Sequence, residues 1–457
     1  MSLFTITCAG GAQMPTGSNF LIECAGKKIL IDCGLVQGEK YSLPTNKEPF
    51  AYDPASVDVL MVTHAHLDHV GRIPKLVREG FVGKIISTEP TREIGELVML
   101  DSMGVLQKEA LHSGEEQLYE EKDVFDAVRL WTEVYPYEKP FTIATSDGDI
   151  TVVFHDAGHI LGSATIEIEY KGRRLMFTGD LGNTPSPLMR DTVLPHNIDY
   201  LFVESVYGDR NHEDKDKRFE ILQETIVTTI NRGGTLIIPA FSIERTQELL
   251  QAINGFIEHG TLREIPIYLD SPLGINVTKV YKKYEYMFND QAEALIKKGD
   301  DIFSFKGLIS TPTPQESKAI NQDVRPKVII AGSGMSNGGR IVHHETKYLP
   351  DEKITILIVG YQAANTLGRR LVEKEKKVII HGMEVPVRAQ VVTIHGFSAH
   401  KDSDNLVAFV GATKESLKKV FVILGEPKSS YHLGQRIHEE YLVPVEVPEK
   451  GQVIELD

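Results

Sequence analysis

The chain reads as an α/β protein in which one domain is interrupted by another. Three observations predict this. Short apolar, strand-like runs fill the first 210 residues and return after about residue 386. Between them, over 211–385, helical and strand patterns alternate. Several of the strand-like runs outside that middle section end in His, Asp or Glu. The 457 residues also exceed what one ordinary core takes, since domains cluster at roughly 100–200 residues.

The outer part opens on a hairpin. FLIECA and KILIDCG flank a turn at Gly26 and Lys27 and are rich in apolar and β-branched residues. VDVLMVTH (57–64) is a short apolar run ending in a polar cluster, as a buried strand does when it delivers residues to a site. Residues 92–111 carry helical spacing, with Ile94, Leu97 and Val98 on one stripe. TVVFHDAGH (151–159), TIEIEYKGRRLMFTGD (165–180) and IDYLFVESVYG (198–208) read as further strands.

In the middle section helices are expected at 215–231 and 244–259, and strands at 235–241, 266–271, 327–334 and 354–361. That alternation predicts a small parallel sheet. The outer domain is then expected to resume with strands over 390–400 and 419–426 and a helix over 404–412.

Composition narrows the function classes. No apolar run reaches the ~18 residues of a membrane span, and the N-terminus has no leader-like pattern of positive charge before an apolar core. The three cysteines, Cys8, Cys24 and Cys33, form no close pair. Buried thiols and a cytoplasmic location are expected. The net charge of −15 argues at first against a nucleic-acid partner. Its distribution softens that: residues 211–385 carry 23 Lys and Arg against 23 Asp and Glu, so the whole acidic excess lies outside them.

The chemistry-bearing signal is THAHLDHVGRIP, residues 63–74. His64, His66, Asp68 and His69 fall within six positions, and zinc takes imidazole nitrogen and carboxylate oxygen. His64 and His66 alternate, so on an extended segment they point the same way. Leaving such groups unpaired in a core would be costly. His159 in DAGHILGSA, Asp180 in FTGDLG and Asp32 in LIDCG each end a strand-like run. Alone, each is an ordinary cap or loop residue; together they complete a two-ion site. His64, His66 and His159 are expected to hold one Zn2+, Asp68 and His69 a second, and Asp180 to bridge them. Asp32 is expected to orient a ligand His from behind.

These residues resemble the metallo-β-lactamase superfamily, and Glu204 in FVESVYG, His400 in GFSAH and the stretch AGSGMSNGGR resemble its β-CASP branch of nucleases. PAFSIERTQELL and GSGMSNGGRIVHH look closest to the short prokaryotic RNA-cleaving members. The resemblance implies an αββα sandwich from 1–210 and 386–457, a β-CASP domain inserted at 211–385, and an active site in the cleft between them. It implies a zinc-dependent nuclease acting on RNA, an endonuclease with 5′ exonuclease activity as a further option. Asp68, Glu204 and His400 are the implied catalytic groups, His400 as proton donor paired with Glu204. Ser333, Gly334, Arg340 and Ser398 are the implied substrate contacts. Lys279, Lys282, Lys283, Arg369 and Arg370 are candidate entry charges, with Tyr281, Tyr284 and Tyr286 interleaved. A homodimer is common among such enzymes, though no residue here points to one.

One departure stands out. Where the branch has a metal-ligating His before Gly-Glu, this chain has Leu424, in VFVILGEPKSS. An apolar side chain cannot ligate zinc, so a weaker second site is expected, or one served by His395 or His432. The same departure keeps two other readings open: a DNA-directed nuclease of the branch, and a catalytically weak scaffold relative.

Overall fold

The computed structural model describes residues 2–38, 42–212, 217–360, 362, 363 and 365–457, with the side chains at 42, 43, 109, 112, 113 and 395 set aside. It divides into two compact units, Met1–Asn211 with His400–Asp457, and His212–Ala399.

The first unit is a sandwich of two sheets, each of seven strands among the described residues. One sheet runs in the order Val453–Leu456, Phe4–Gly10, Asn19–Cys24, Lys27–Ile31, Val59–Met61, Lys84–Ser87, Glu133–Val134. The other runs Val445–Glu446, Lys419–Ile423, Tyr200–Glu204, Arg173–Phe177, Ala164–Tyr170, Ile150–Asp156, Phe141–Ile143. Strands with one covered face alternate buried and half-buried residues, as Phe4–Gly10 and Ile150–Asp156 do. Tyr200–Glu204, flanked by parallel partners and covered on both faces, is buried throughout. The two inner faces meet in one core. Phe20, Phe177, Phe202 and Phe421 stack through it, with successive ring centroids 5.5, 4.4 and 4.4 Å apart. Helices Ser403–Gly411 and Pro427–Tyr441 cover the outer face of the second sheet through Leu406, Phe409, Leu433 and Ile437. On the far side, Trp131 at the end of helix Glu121–Leu130 packs against Gly95 of helix Glu89–Ser113 and donates to Ser87 Oγ at 2.9 Å.

The second unit is built on an all-parallel sheet, six-stranded among the described residues: Leu308–Ser310, Ile267–Leu269, Lys327–Ala331, Thr235–Pro239, Thr355–Ile358, Gln390–Thr393. Its central strands are buried end to end, as parallel strands between helix layers are. The expected helices appear as Arg218–Asn231 and Arg245–Glu258.

One strand joins a sheet other than the one expected: Gln390–Thr393 pairs in parallel with Thr355–Ile358 instead of with the sandwich, and the second compact unit runs to Ala399. A short apolar run looks the same whichever sheet it joins. The helix Pro427–Tyr441 was not anticipated. Of its buried positions only Leu433 and Ile437 are large apolar residues, the others being Ser429, Ser430 and Gly434, so its periodicity is faint.

Candidate metal centre

Strand ends deliver the site. Lys27–Ile31 runs into Asp32, Val59–Met61 into the 63–69 segment, Ile150–Asp156 towards His159, Arg173–Phe177 towards Asp180, and Tyr200–Glu204 ends on Glu204 itself. Lys27–Ile31 and Val59–Met61 lie parallel, as do Arg173–Phe177 and Tyr200–Glu204, so within each pair the carboxyl ends open on the same edge. Gly179 makes the approach possible. Its φ is +55°, and a Cβ there would sit 2.7 Å from Thr63 Cβ, so only glycine lets the loop carrying Asp180 close on the histidine segment.

His64 Nε2 lies 3.1 Å from His66 Nδ1, and His159 Nε2 lies 3.2 Å from the same atom. Asp180 Oδ2 is 3.4 Å from His64 Nε2 and 3.6 Å from His159 Nε2. Asp180 Oδ1 turns the other way, 3.5 Å from His69 Nε2, which is 3.9 Å from Asp68 Oδ2. Two donor sets therefore share one carboxylate: His64, His66, His159 and Asp180, and Asp68, His69 and Asp180. Ligands about 2.0–2.1 Å from a tetrahedral zinc stand roughly 3.3 Å from one another, close to these separations. His69 Nε2 supplies an independent test: it is fully buried and, among the described residues, has no hydrogen-bond partner. A buried lone pair of that kind calls for a cation or a proton. The residues present fit a two-metal site.

The electrostatics point the same way. Burial, reinforced by neighbouring imidazoles, pushes His66 and His159 well below the ordinary histidine value, into the neutral form that ligates metal. Burial lowers His69 too, but the carboxylates of Asp180 and Asp32 outweigh it and hold the ring well above its usual range. Burial alone would raise Asp180, yet His69, His400 and His64 keep it well below the usual carboxylate value.

Asp32 stands behind this set. Its Oδ2 meets His69 Nδ1 at 2.7 Å and takes the Ser18 hydroxyl at 3.0 Å, while Oδ1 takes the Thr63 N–H at 2.8 Å. Ser18 and Thr63 were not singled out from sequence. Thr63 adjoins His64 in the same motif, the one signal that pointed to it.

Glu204 and His400 meet beside Asp180, with Oε1 3.3 Å from Nδ1. The Leu181 N–H fixes Glu204 Oε1 at 2.7 Å, and Thr178 Oγ1 accepts from the Glu204 N–H at 3.1 Å. Burial lowers the His400 imidazole, but Glu204 and Asp180 outweigh it and bring it to about 9.

Leu424 joins neither donor set. It is buried in the sandwich core, its N–H bonded to the Gly11 carbonyl at 2.7 Å and its Cδ2 filling the space a Gly11 Cβ would need. His432 Nδ1 is spent on the Gly208 carbonyl at 3.0 Å and joins neither donor set. The His395 side chain falls outside the described residues.

The expected substrate contacts lie in the second unit. Ser333 and Gly334 form the turn after Lys327–Ala331, and Gly338, Gly339 and Arg340 lead into helix Ile341–Tyr348. Arg340 is engaged within the second unit. Its guanidinium binds Asp270 Oδ1 at 2.6 Å and the Pro312 carbonyl at 2.8 Å, and Asp270 also takes His344, Ser317 and Thr311. Ser398 is half-buried after the turn His395–Phe397. The candidate entry charges are largely neutralised locally: Lys282 pairs with Asp301, Arg369 with Glu373 and Arg370 with Glu375. Tyr281 and Tyr284 are core residues, leaving only Tyr286 exposed.

Family models match three segments of the chain: the metallo-beta-lactamase superfamily over residues 16–223, the Beta-Casp domain over 246–371, and the Zn-dependent metallo-hydrolase RNA specificity domain over 384–448. The ribonuclease TTHA0252 of Thermus thermophilus is 35% identical over 427 residues, covering 93% of this chain and 94% of its own. The chain belongs to the β-CASP branch of the metallo-β-lactamase superfamily. An RNase J-like protein of Methanocaldococcus jannaschii is 32% identical over 97% of this chain and 98% of its own, so the β-CASP likeness runs end to end. The transcription termination factor FttA of Methanosarcina mazei is 31% identical, over 95% of this chain and 69% of its own. A crystal structure of a protein of unknown function from Enterococcus faecalis shares the fold, with a TM-score of 0.56 at 14% identity over 99% of this chain and 100% of its own. As a β-CASP member, the chain is a metal-dependent hydrolase. No helix among the described residues is long and apolar enough to cross a membrane.

Proposed function

We propose that the protein is a two-zinc ribonuclease. The observation that carries this is the pair of donor sets hinged on Asp180, with the Glu204–His400 pair beside it. The similarity to ribonuclease TTHA0252 and the match to an RNA specificity domain favour RNA as substrate. His64, His66 and His159 would hold one ion, Asp68 and His69 the other, with Asp180 between. When bound, the ions supply Lewis acidity towards the phosphate and lower the pKa of a water to near neutrality.

The chain's own groups do the rest. Asp32 anchors His69 Nδ1 and so keeps Nε2 turned inward. Glu204 holds His400 Nδ1, which leaves Nε2 as the proton donor for the leaving oxygen of the cleaved phosphodiester. Asp68 completes the acidic side of the site. The three cysteines are free and buried, which suits a reducing compartment, and we assign the protein to the cytoplasm.

The test is cleavage of a 5′-labelled single-stranded RNA by zinc-loaded protein, run beside DNA of the same sequence and beside His66→Ala. RNA cleavage by the parent protein and its loss in the variant support the reading. Cleavage of DNA alone would transfer the activity to the DNA-directed alternative, and intact RNA and DNA with no bound zinc would leave a scaffold.

A further inference from the structure

The parallel sheet of the second unit has a point where its winding reverses. Thr235–Pro239 and Lys327–Ala331 are neighbours. From the first, the chain passes through helix Arg245–Glu258 to Ile267–Leu269, beyond Lys327–Ala331. From the second, it passes through helix Ile341–Tyr348 to Thr355–Ile358, on the other side of Thr235–Pro239. Each exit passes the other strand, so right-handed crossovers carry them over opposite faces of the sheet, and in open α/β sheets the carboxyl ends of such a strand pair leave a ligand crevice. Here its walls are the segments 240–244 and 332–340.

Phe241 stands in that place. It is a large apolar side chain left 40% exposed. Its position is nevertheless tightly set. A Cβ on Gly334 would lie 2.6–2.9 Å from Phe241 Cδ2, Cε2 and Cγ, so the turn after Lys327–Ala331 carries glycine where the ring rests on it. The Phe241 carbonyl accepts from both the N–H and the hydroxyl of Thr246, at 3.2 and 2.7 Å. Ser242, the next residue, shares a 3.0 Å hydrogen bond with the buried Ser271, and both hydroxyls border Gly332. An exposed ring braced by backbone suits a flat aromatic ligand.

Building on the ribonuclease reading, we propose that Phe241 is a stacking platform for one nucleobase of a single-stranded RNA substrate, at the switch point of this sheet. Base stacking on an aromatic side chain tolerates any sequence and adds affinity without touching the bond that breaks. Phe241 therefore acts on substrate binding rather than on turnover.

The experiment uses the full-length, zinc-loaded protein and single-stranded RNA carrying one 2-aminopurine, moved position by position. In the parent protein one register is expected to lose fluorescence on binding, and an abasic residue at that register to weaken binding. Phe241→Leu is expected to abolish that quenching and raise KM about tenfold with kcat little changed, while Phe241→Tyr restores both. Parent protein that binds RNA with no quenched register and no abasic-sensitive position overturns the inference, and does so even if Phe241→Leu fails to fold. So does a folded Phe241→Leu with unchanged KM and quenching. Either result leaves RNA cleavage standing, whereas a parent protein that neither binds nor cleaves RNA removes the ribonuclease reading itself.

Discussion

Asp32 Oδ2 sits 2.7 Å from Nδ1 of His69, on the ring edge opposite the buried Nε2, which makes no hydrogen bond among the described residues. One carboxylate thereby fixes which nitrogen of His69 carries a proton and which is offered to a metal. Asp32→Asn keeps the shape and tolerates the residue's φ of +58°, but removes the charge that sets the tautomer. Zinc affinity is expected to fall about 10- to 100-fold, with activity recovered at high zinc. Competition with a chromophoric chelator measures it. Unchanged affinity would mean that Asp32 only supports the backbone.

His400→Ala removes the donor held by Glu204. Turnover is expected to drop about 10²- to 10⁴-fold, with RNA affinity nearly unchanged, as for a group that acts in the transition state. Single-turnover kinetics beside equilibrium binding separate the two. A defect confined to binding would take His400 out of the proton transfer.

Leu424 packs in the core and joins neither donor set. Leu424→Ala is expected to cost about 2–5 kcal/mol of stability by opening a cavity beside Gly11 and Phe20, with zinc content unchanged. Chemical denaturation and metal analysis on the same sample check both halves. Loss of zinc in a folded variant would contradict this placement.

Asp270 is fully buried and holds Arg340 and His344 at 2.6 and 2.7 Å. Asp270→Ala strands both partners and is expected to cost about 3–5 kcal/mol, read by thermal or denaturant unfolding. A near-neutral variant would mean that Arg340 finds water or another acceptor.

Glu345 is a pH-dependent element of the second unit. Burial pushes its carboxyl up to about 8 from an ordinary 4.5, with only the Ser336 hydroxyl opposing. The folded state therefore holds a proton that the unfolded chain gives up earlier. The stability due to the neutral group is full below about 4.5 and is lost as pH rises through about 8. Glu345→Gln, which cannot ionise, is expected to flatten the fall in melting temperature between about pH 5 and about pH 9. Equal slopes for the two proteins would rule Glu345 out as the source.

The site was more legible in the sequence than the chain's course around it. His64, His66, Asp68 and His69 lie in one hexapeptide, so their donor chemistry is written locally. His159, Asp180 and Glu204 are marked by their position at the ends of apolar runs. Thr63 and Ser18 escaped notice because a hydroxyl behind a carboxylate has no spacing of its own. The Gly-Gly-Arg turn does not reveal that Asp270, seventy positions earlier, binds the Arg340 guanidinium. The strand Gln390–Thr393 was given to the wrong sheet because pairing partners are set by tertiary contacts that periodicity does not encode.

The central claim is that donors from separate strand ends enclose two cations that share Asp180. Anomalous X-ray diffraction at the zinc edge, from crystals of zinc-loaded protein, tests it most directly. Two peaks are predicted, one ringed by His64, His66 and His159 and one by Asp68 and His69, with an Asp180 oxygen facing each. A single peak away from Asp180, or none with these side chains still gathered, would contradict the account.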